Sequence, residues 1–111
     1  MDSQYLRERY ATLTWPQQLG NLASTLAHIA KRAESPKYDK LVTTWLKEVV
    51  LLAELAASRV PTDYETELTA VQQEAKLWQQ IWPLEPTRPL LALHSHHQSE
   101  RLLHLSGLAK F

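Results

Sequence analysis

The sequence predicts a single all-α domain, in which four main helices form an up-down bundle and a short further helix precedes them. Apolar residues recur at helical spacing in four long segments, and no segment alternates polar and apolar residues as a strand does. Only two glycines occur, and the six prolines lie at the ends of those segments. We therefore predict one domain over residues 1–111, with helices at 15–33, 36–58, 63–82 and 89–106.

The first main helix begins at a capping box. Thr14 is followed three residues later by Gln17, and Pro16 lies in the first turn, where its missing N–H costs nothing. The apolar stripe that follows consists of Leu19, Leu22, Ala23, Leu26, Ile29, Ala30 and Ala33. The dozen residues before the capping box carry Tyr5, Leu6, Arg9, Tyr10 and Leu13, and this spacing predicts the short additional helix.

The second main helix is apolar on most of its circumference. Ser35 and Pro36 are its start signal, and its main stripe consists of Tyr38, Leu41, Val42, Trp45, Val49, Leu52 and Ala56. Four more apolar residues lie outside that stripe, namely Leu46, Val50, Leu51 and Leu55. A helix of this kind is either central in a bundle or covered by a second subunit. These four residues are therefore candidates for the bundle centre or for a dimer interface.

The third and fourth main helices are separated by a proline-rich connector. Thr62 and Glu65 predict a second capping box after Pro61. The third helix buries Tyr64, Leu68, Val71, Ala75, Trp78 and Trp82, with Leu77 and Ile81 at one edge. The segment WPLEPTRP then has three prolines in seven residues, which predicts a stiff, extended connector. Gly107 is the expected C-cap of the last helix.

The four tryptophans fall into two classes. Trp45 and Trp78 lie in apolar stripes and are expected in the core. Trp15 and Trp82 lie at the ends of helices, where a large ring either packs on a loop or contributes to an interface. Core packing is the commoner role, and both residues are also interface candidates.

The segment LHSHHQSERLLHL, residues 93–105, contains four of the five histidines. On a helical wheel the packing face consists of Leu91, Ala92, Ser95, Ser99, Leu102, Leu103 and Ser106. The opposite side carries His94, His97, Arg101 and His104. Leu90 and Leu93 lie beside these histidines, and leucines on an outward face suggest a covered surface. We therefore add both leucines to the interface candidates.

Metal binding is one interpretation of this stripe, with His94, His97 and His104 as the candidate ligands. The first two could share an ion, but even a catalytic zinc site needs a third protein ligand, and Arg101 lies among them. A pH switch would need burial or a neighbouring charge, which Arg101 and Glu100 supply only weakly. Solvated surface histidines are the simplest interpretation. We expect no bound metal and no cofactor, with metal or proton sensing as the alternative.

Sequence motifs and composition argue against several functional classes. No Gly-rich phosphate loop, HExxH or GxSxG motif occurs, and the chain has no cysteine. Twelve basic residues balance twelve acidic ones, whereas nucleic-acid modules usually carry a basic excess. The longest apolar run, Val49–Ala53, is far shorter than the roughly 20 residues that span a bilayer, and no signal peptide is evident. We expect a cytoplasmic protein without catalytic residues and without nucleic-acid or membrane partners.

Two short motifs carry a resemblance to a known group. The segment LGNLASTLA follows the first capping box, and LSGL lies near the end of the chain. With these motifs the chain resembles uncharacterised short all-helical hypothetical proteins of cyanobacteria. The resemblance implies a cyanobacterial, cytosolic setting and transfers no functional residue. The sequence as a whole favours a non-enzymatic protein-interaction module, either a homodimer or an adaptor to another protein.

Overall fold

The fold is described by a computed structural model for residues 3–107, and every element of regular structure in this range is helical. The α-helices are α1 (Ser3–Ala11), α2 (Trp15–Arg32), α3 (Asp39–Ala57), α4 (Glu65–Ile81) and α5 (Arg88–Ser106). Single 3₁₀ turns at Pro36–Tyr38, Thr62–Tyr64 and Glu85–Thr87 lead into the last three. The prediction of an all-α chain is confirmed, with four long helices after a short one.

The helix ends agree with the sequence signals at some positions only. At Thr14 both hydrogen bonds of the capping box form, since the Gln17 N–H donates to Thr14 Oγ1 and the Thr14 N–H donates to Gln17 Oε1. Gly107 caps α5 in the left-handed region, at φ 74°. The capping box predicted at Thr62 is wrong, because the Glu65 N–H bonds to the carbonyl oxygen of Thr62 and not to its side chain. Ser35 makes no capping hydrogen bond either.

The four long helices pack against one another in the order α4, α3, α2, α5. Helix α2 packs against α5 and α3, and α3 packs against α4. The Ser99 hydroxyl donates to the Ala23 carbonyl at 2.7 Å, and Arg88 donates to the Ala33 carbonyl at 3.1 Å, so α2 and α5 run antiparallel. Helices α4 and α5 come into close backbone contact at few points. The two helices at the ends of this series therefore leave a gap between them.

The core is formed mainly by the predicted stripes of four helices. On α3 the prediction fails at two positions, because Leu41, placed in the stripe, is 48% exposed and Leu46, placed outside it, is buried. Its largest fully buried apolar side chains are Leu19, Leu22, Ile29, Val42, Leu46, Val49, Leu52, Leu68, Leu91 and Leu102. Leu46 is only 2% exposed and thus lies in the bundle centre, while Val50, Leu51 and Leu55 are half-buried. Trp45 and Trp78, which we expected in the core, are half-buried and pack against it from outside.

A reciprocal pair of hydrogen bonds fixes α1 to the start of α2. The Tyr10 hydroxyl donates to the Gln18 carbonyl at 2.6 Å, and Gln18 Nε2 donates to the Tyr10 carbonyl at 3.0 Å. Burial raises the pKa of the Tyr10 phenol well above its usual value. Arg59, at the end of α3, donates to the carbonyls of Ala11 and Leu13. The short helix is therefore docked by polar contacts as well as by packing.

A buried arginine joins three helix ends at the other end of α2, away from the contact between Tyr10 and Gln18. Arg88 is 7% exposed, and its two terminal nitrogens bind the Asp39 carboxylate at 2.7 and 3.0 Å. The same guanidinium donates to the Ala33 carbonyl, pairs with Glu85 and lies 5.0 Å from the centre of the Trp82 ring. Hydrogen bonding to Arg88 lowers the pKa of Asp39. The end of α2, the start of α3 and the connector before α5 thus meet at one side chain, which we call the Arg88 corner.

Candidate functional site

An open groove of about 370 Å³ lies between α4 and α5. It is lined by Glu67, Ala70, Val71, Glu74, His94, His97, Gln98, Arg101 and Leu102. Val71 and Leu102 are buried and give the groove an apolar floor. The groove exists because α4 packs on α3 and α5 packs on α2, which leaves their facing edges without a helix between them.

Polar side chains bridge this groove from one helix to the other. On α4, the Glu74 carboxylate accepts a hydrogen bond from Gln98 and pairs with the ring of His94, both on α5. Closer to the start of α4, Arg101 Nε donates to Glu67 Oε1 at 2.5 Å. The pairs show that α4 and α5 run antiparallel, with Glu67 level with Arg101 and Glu74 level with His94.

The two edges of the groove carry opposite charge. The α4 edge has the carboxylates of Glu67 and Glu74, whereas the α5 edge has the guanidinium of Arg101, together with the rings of two histidines. The Arg101 side chain is 60% exposed and that of His94 is 45% exposed, so their polar ends also reach solvent. Exposed ion pairs of this kind contribute at most about 1 kcal/mol to folding. These ion pairs therefore contribute little to the stability of the fold.

Exposed leucine and isoleucine side chains continue the groove toward the end of α4. Leu77 and Ile81 are three and seven residues after Glu74, so they lie on the same side of α4, and they are 61% and 45% exposed. Leu90 lies one turn before His94 on α5 and is 60% exposed. Because the helices are antiparallel, Leu77 is level with the turn that carries Leu90. We call the surface formed by these residues the α4/α5 face; it comprises Glu67, Glu74, Leu77, Ile81, Leu90, His94, His97 and Arg101.

The histidines predicted as a solvated stripe are divided by the structure. His94 and His97 line the groove and face α4, whereas His104 lies about two to three turns further along α5, beside Arg101. His96 pairs with Glu100 on its own helix. His94 keeps the solvent exposure expected of a surface histidine, at 45% of its side chain, and its ring also pairs with Glu74 of α4.

The predicted interface residues also lie in different surroundings. Leu90 belongs to the α4/α5 face, while Leu93, 54% exposed, lies on the other side of α5, near Ala27 and Ala30 of α2. Trp15 packs edge-on against the Tyr64 ring, with 5.8 Å between ring centres. Trp82 belongs to the Arg88 corner, where its Nε1 donates to the Asp39 carbonyl at 3.4 Å. Both tryptophans thus contact other parts of their own chain and are half-buried.

A second polar cluster lies on the outer surface of α2 and α3. The His28 ring stacks on Trp45 with 5.3 Å between the ring centres. Burial raises the pKa of Glu48, which lies one turn further along α3. The stacked ring covers part of Trp45, which explains how this tryptophan is tolerated at the edge of the core.

Metal-ligand geometry is absent from the part of the chain that the structure describes. Within residues 3–107, no three or more histidine, aspartate or glutamate side chains come together as a metal site. The closest arrangement in the groove is the pair of His94 and Glu74, which are bound to each other. Over the same range, none of the helices combines the length and the apolar character needed to cross a bilayer.

Comparisons with other proteins leave the function to be argued from this geometry. The chain matches no known protein family, and no curated protein or solved structure is significantly similar to it. The sequence did not lead us to predict that α4 contributes to the groove. The spacing of Glu67, Glu74 and Ile81 could have indicated it, since they recur at intervals of seven residues and share one side of the helix.

Proposed function

We propose that this chain is a small non-enzymatic interaction module, a cytoplasmic up-down bundle that associates with a second copy of itself through the α4/α5 face. The observation that carries the proposal is the apolar surface of Leu77, Ile81 and Leu90, which continues an open groove. Contiguous exposed apolar patches rimmed by polar residues are typical of protein interaction sites. Burial of such a patch is the main driving force for association.

A second copy is the occupant that best fits the charges of the face. One edge is acidic and the other is basic, so the face is complementary to itself when the edges are exchanged. The chain has twelve basic and twelve acidic residues, so two copies repel each other little at long range. Both carboxylates of the groove are paired, Glu67 with Arg101 and Glu74 with His94 and Gln98, which favours a recognition surface over a site that holds an open proton acceptor for a substrate.

Replacing Leu77 with glutamate is expected to weaken self-association strongly while leaving the fold intact. The exposed leucine is removed from the interface, and a carboxylate would be buried there instead, which weakens association by a factor of about 30 or more. The measurement is the sedimentation equilibrium of the wild-type and Leu77→Glu chains, with circular dichroism as the check on folding.

The matched control is Leu41→Glu. Leu41 is 48% exposed on α3 and does not belong to the α4/α5 face, so this variant is expected to associate like the wild type. A wild-type chain that is monomeric at every concentration contradicts the proposal. So does a Leu77→Glu chain that associates as tightly as Leu41→Glu.

Proton sensing is a second candidate function, favoured by the position of His94 and His97 in the same groove. Histidine is the side chain whose charge ordinarily changes between about pH 5 and 8. The charged and titratable groups near these rings are Glu67 and Glu74 from α4, and Arg101, Glu100, His96 and His104 from α5. Protonation adds positive charge to the basic edge and is expected to strengthen its attraction to the acidic edge of a second copy.

The test compares association at about pH 5.5 and pH 8 for the wild type and for the double variant His94→Gln with His97→Gln. Tighter association of the wild type at low pH, together with a pH-independent double variant, supports sensing. Equal association of the wild type at both pH values removes this candidate. Calorimetric titration with zinc tests metal sensing. If no heat of specific zinc binding is detected, metal sensing is excluded.

A further inference from the structure

We infer that the two copies are related by a two-fold axis that runs parallel to α4 and α5 along the groove. In this arrangement α4 of each subunit packs on α5 of the other. The inference rests on the proposed self-association through the α4/α5 face and specifies its geometry. Its central contact is a pair of symmetric ion pairs, in which Arg101 binds Glu67 of the partner subunit.

The register of the groove is the first argument for this axis. Within one chain, Glu67 is level with Arg101, Glu74 is level with His94, and Leu77 is level with the turn of Leu90. A two-fold axis parallel to the helices exchanges α4 with α5 and leaves the height of every residue along the helices unchanged. Glu67 therefore comes to lie over Arg101 of the other copy, Glu74 over its His94, and Leu77 over the turn that carries its Leu90.

A two-fold axis perpendicular to the helices would also bring the two faces together, but it would not pair acidic residues with basic ones. It would place α4 on α4 and α5 on α5, and like charges directly opposed across an interface are unfavourable. It would also reverse the height of one copy relative to the other. The apolar end that carries Leu77 and Ile81 would then meet the acidic end that carries Glu67 of the partner subunit.

The hydrogen-bonding capacity of Arg101 is the second argument. A guanidinium has five N–H donors in a planar fork. Arg101 uses Nε for Glu67 of its own chain, and among residues 3–107 its terminal nitrogens donate no hydrogen bond. With 60% of the side chain exposed, these nitrogens are accessible to a second carboxylate. Arg101 can therefore bind Glu67 of its own chain and Glu67 of the partner subunit at the same time.

A charge-exchange experiment tests this register. The variants Glu67→Arg and Arg101→Glu are prepared separately, and each is expected to self-associate about tenfold or more weakly, because two like-charged pairs face each other in the homodimer. In an equimolar mixture each contact pairs opposite charges again, so a heterodimer is expected to form with affinity near that of the wild type. Native mass spectrometry distinguishes the three dimers by mass, and circular dichroism confirms that each variant is folded.

The double variant Glu67→Arg with Arg101→Glu in one chain separates contacts within a subunit from contacts between subunits. It is expected to self-associate but not to pair with the wild-type chain, because like charges would then meet in both contacts. Free mixing of the double variant with the wild type overturns the inferred axis, as does a single-variant mixture that forms no heterodimer. In either case a dimeric wild type still supports the proposed function, whereas a monomeric wild type overturns both.

Discussion

Replacing Arg88 with methionine is expected to destabilise the protein about three times as much as the same replacement at Arg101, or more. Arg88 is buried and binds both oxygens of Asp39, whereas the ion pair of Arg101 with Glu67 is exposed. Methionine retains the apolar part of the side chain but leaves the Asp39 carboxylate and the Ala33 carbonyl without their donor. A polar group that is left unpaired in a partly buried position costs more than the original contact contributed.

The measurement is urea denaturation of the wild type, Arg88→Met and Arg101→Met. Arg88→Lys is an informative intermediate, because lysine keeps the charge but cannot bind a carboxylate with two parallel N–H groups. We expect its stability to lie between that of the wild type and that of Arg88→Met. Equal stability of Arg88→Met and Arg101→Met would show that the Arg88 corner contributes no more than an ordinary surface ion pair.

The pH dependence of the same variants gives an independent check. Hydrogen bonding to Arg88 lowers the pKa of Asp39 in the folded protein, so ionised Asp39 stabilises the fold. This contribution is present above the unfolded aspartate pKa of about 4, and it is lost as the pH falls through the lower pKa of the folded state. The stability difference between the wild type and Arg88→Met is therefore expected to shrink below about pH 4.

The helices of this chain were predictable from local signals, but the Arg88 corner was not. Pro16, the Thr14 capping box and Gly107 act within a few residues of the helix ends that they mark. Arg88 binds a carboxylate that is 49 residues away in the sequence. No periodicity or capping rule relates two such positions, because their meeting depends on how α2, α3 and α5 pack together.

The candidate site shows the same division between local and non-local information. A helical wheel correctly places His94, His97 and Arg101 together on one side of α5. It does not reveal that this side faces Glu67 and Glu74, because a wheel describes one helix without its neighbours. The sequence therefore identified half of the groove, and the fold was needed to identify the half that pairs with it.

Replacing Leu46 with alanine is expected to lower the free energy of unfolding by about 2–5 kcal/mol. Leu46 is 2% exposed in the bundle centre, so the smaller side chain leaves a cavity that the surrounding helices fill only partly. Leu51 lies on the same helix and is half-buried, and it is not among the residues that pack against the core. Leu51→Ala is therefore expected to cost less than half as much, with the same change in helix propensity.

The pair of variants separates two roles that the sequence alone assigned jointly to these leucines. If α3 is the central helix of a single chain, Leu46→Ala lowers stability in urea, and Leu51→Ala leaves both stability and self-association nearly unchanged. If α3 instead forms the dimer interface, Leu51→Ala weakens association in sedimentation experiments while Leu77→Glu does not. Association through the α4/α5 face requires Leu77, whereas association through α3 requires Leu51. One set of measurements on Leu46, Leu51 and Leu77 therefore decides which surface of the bundle binds the second copy.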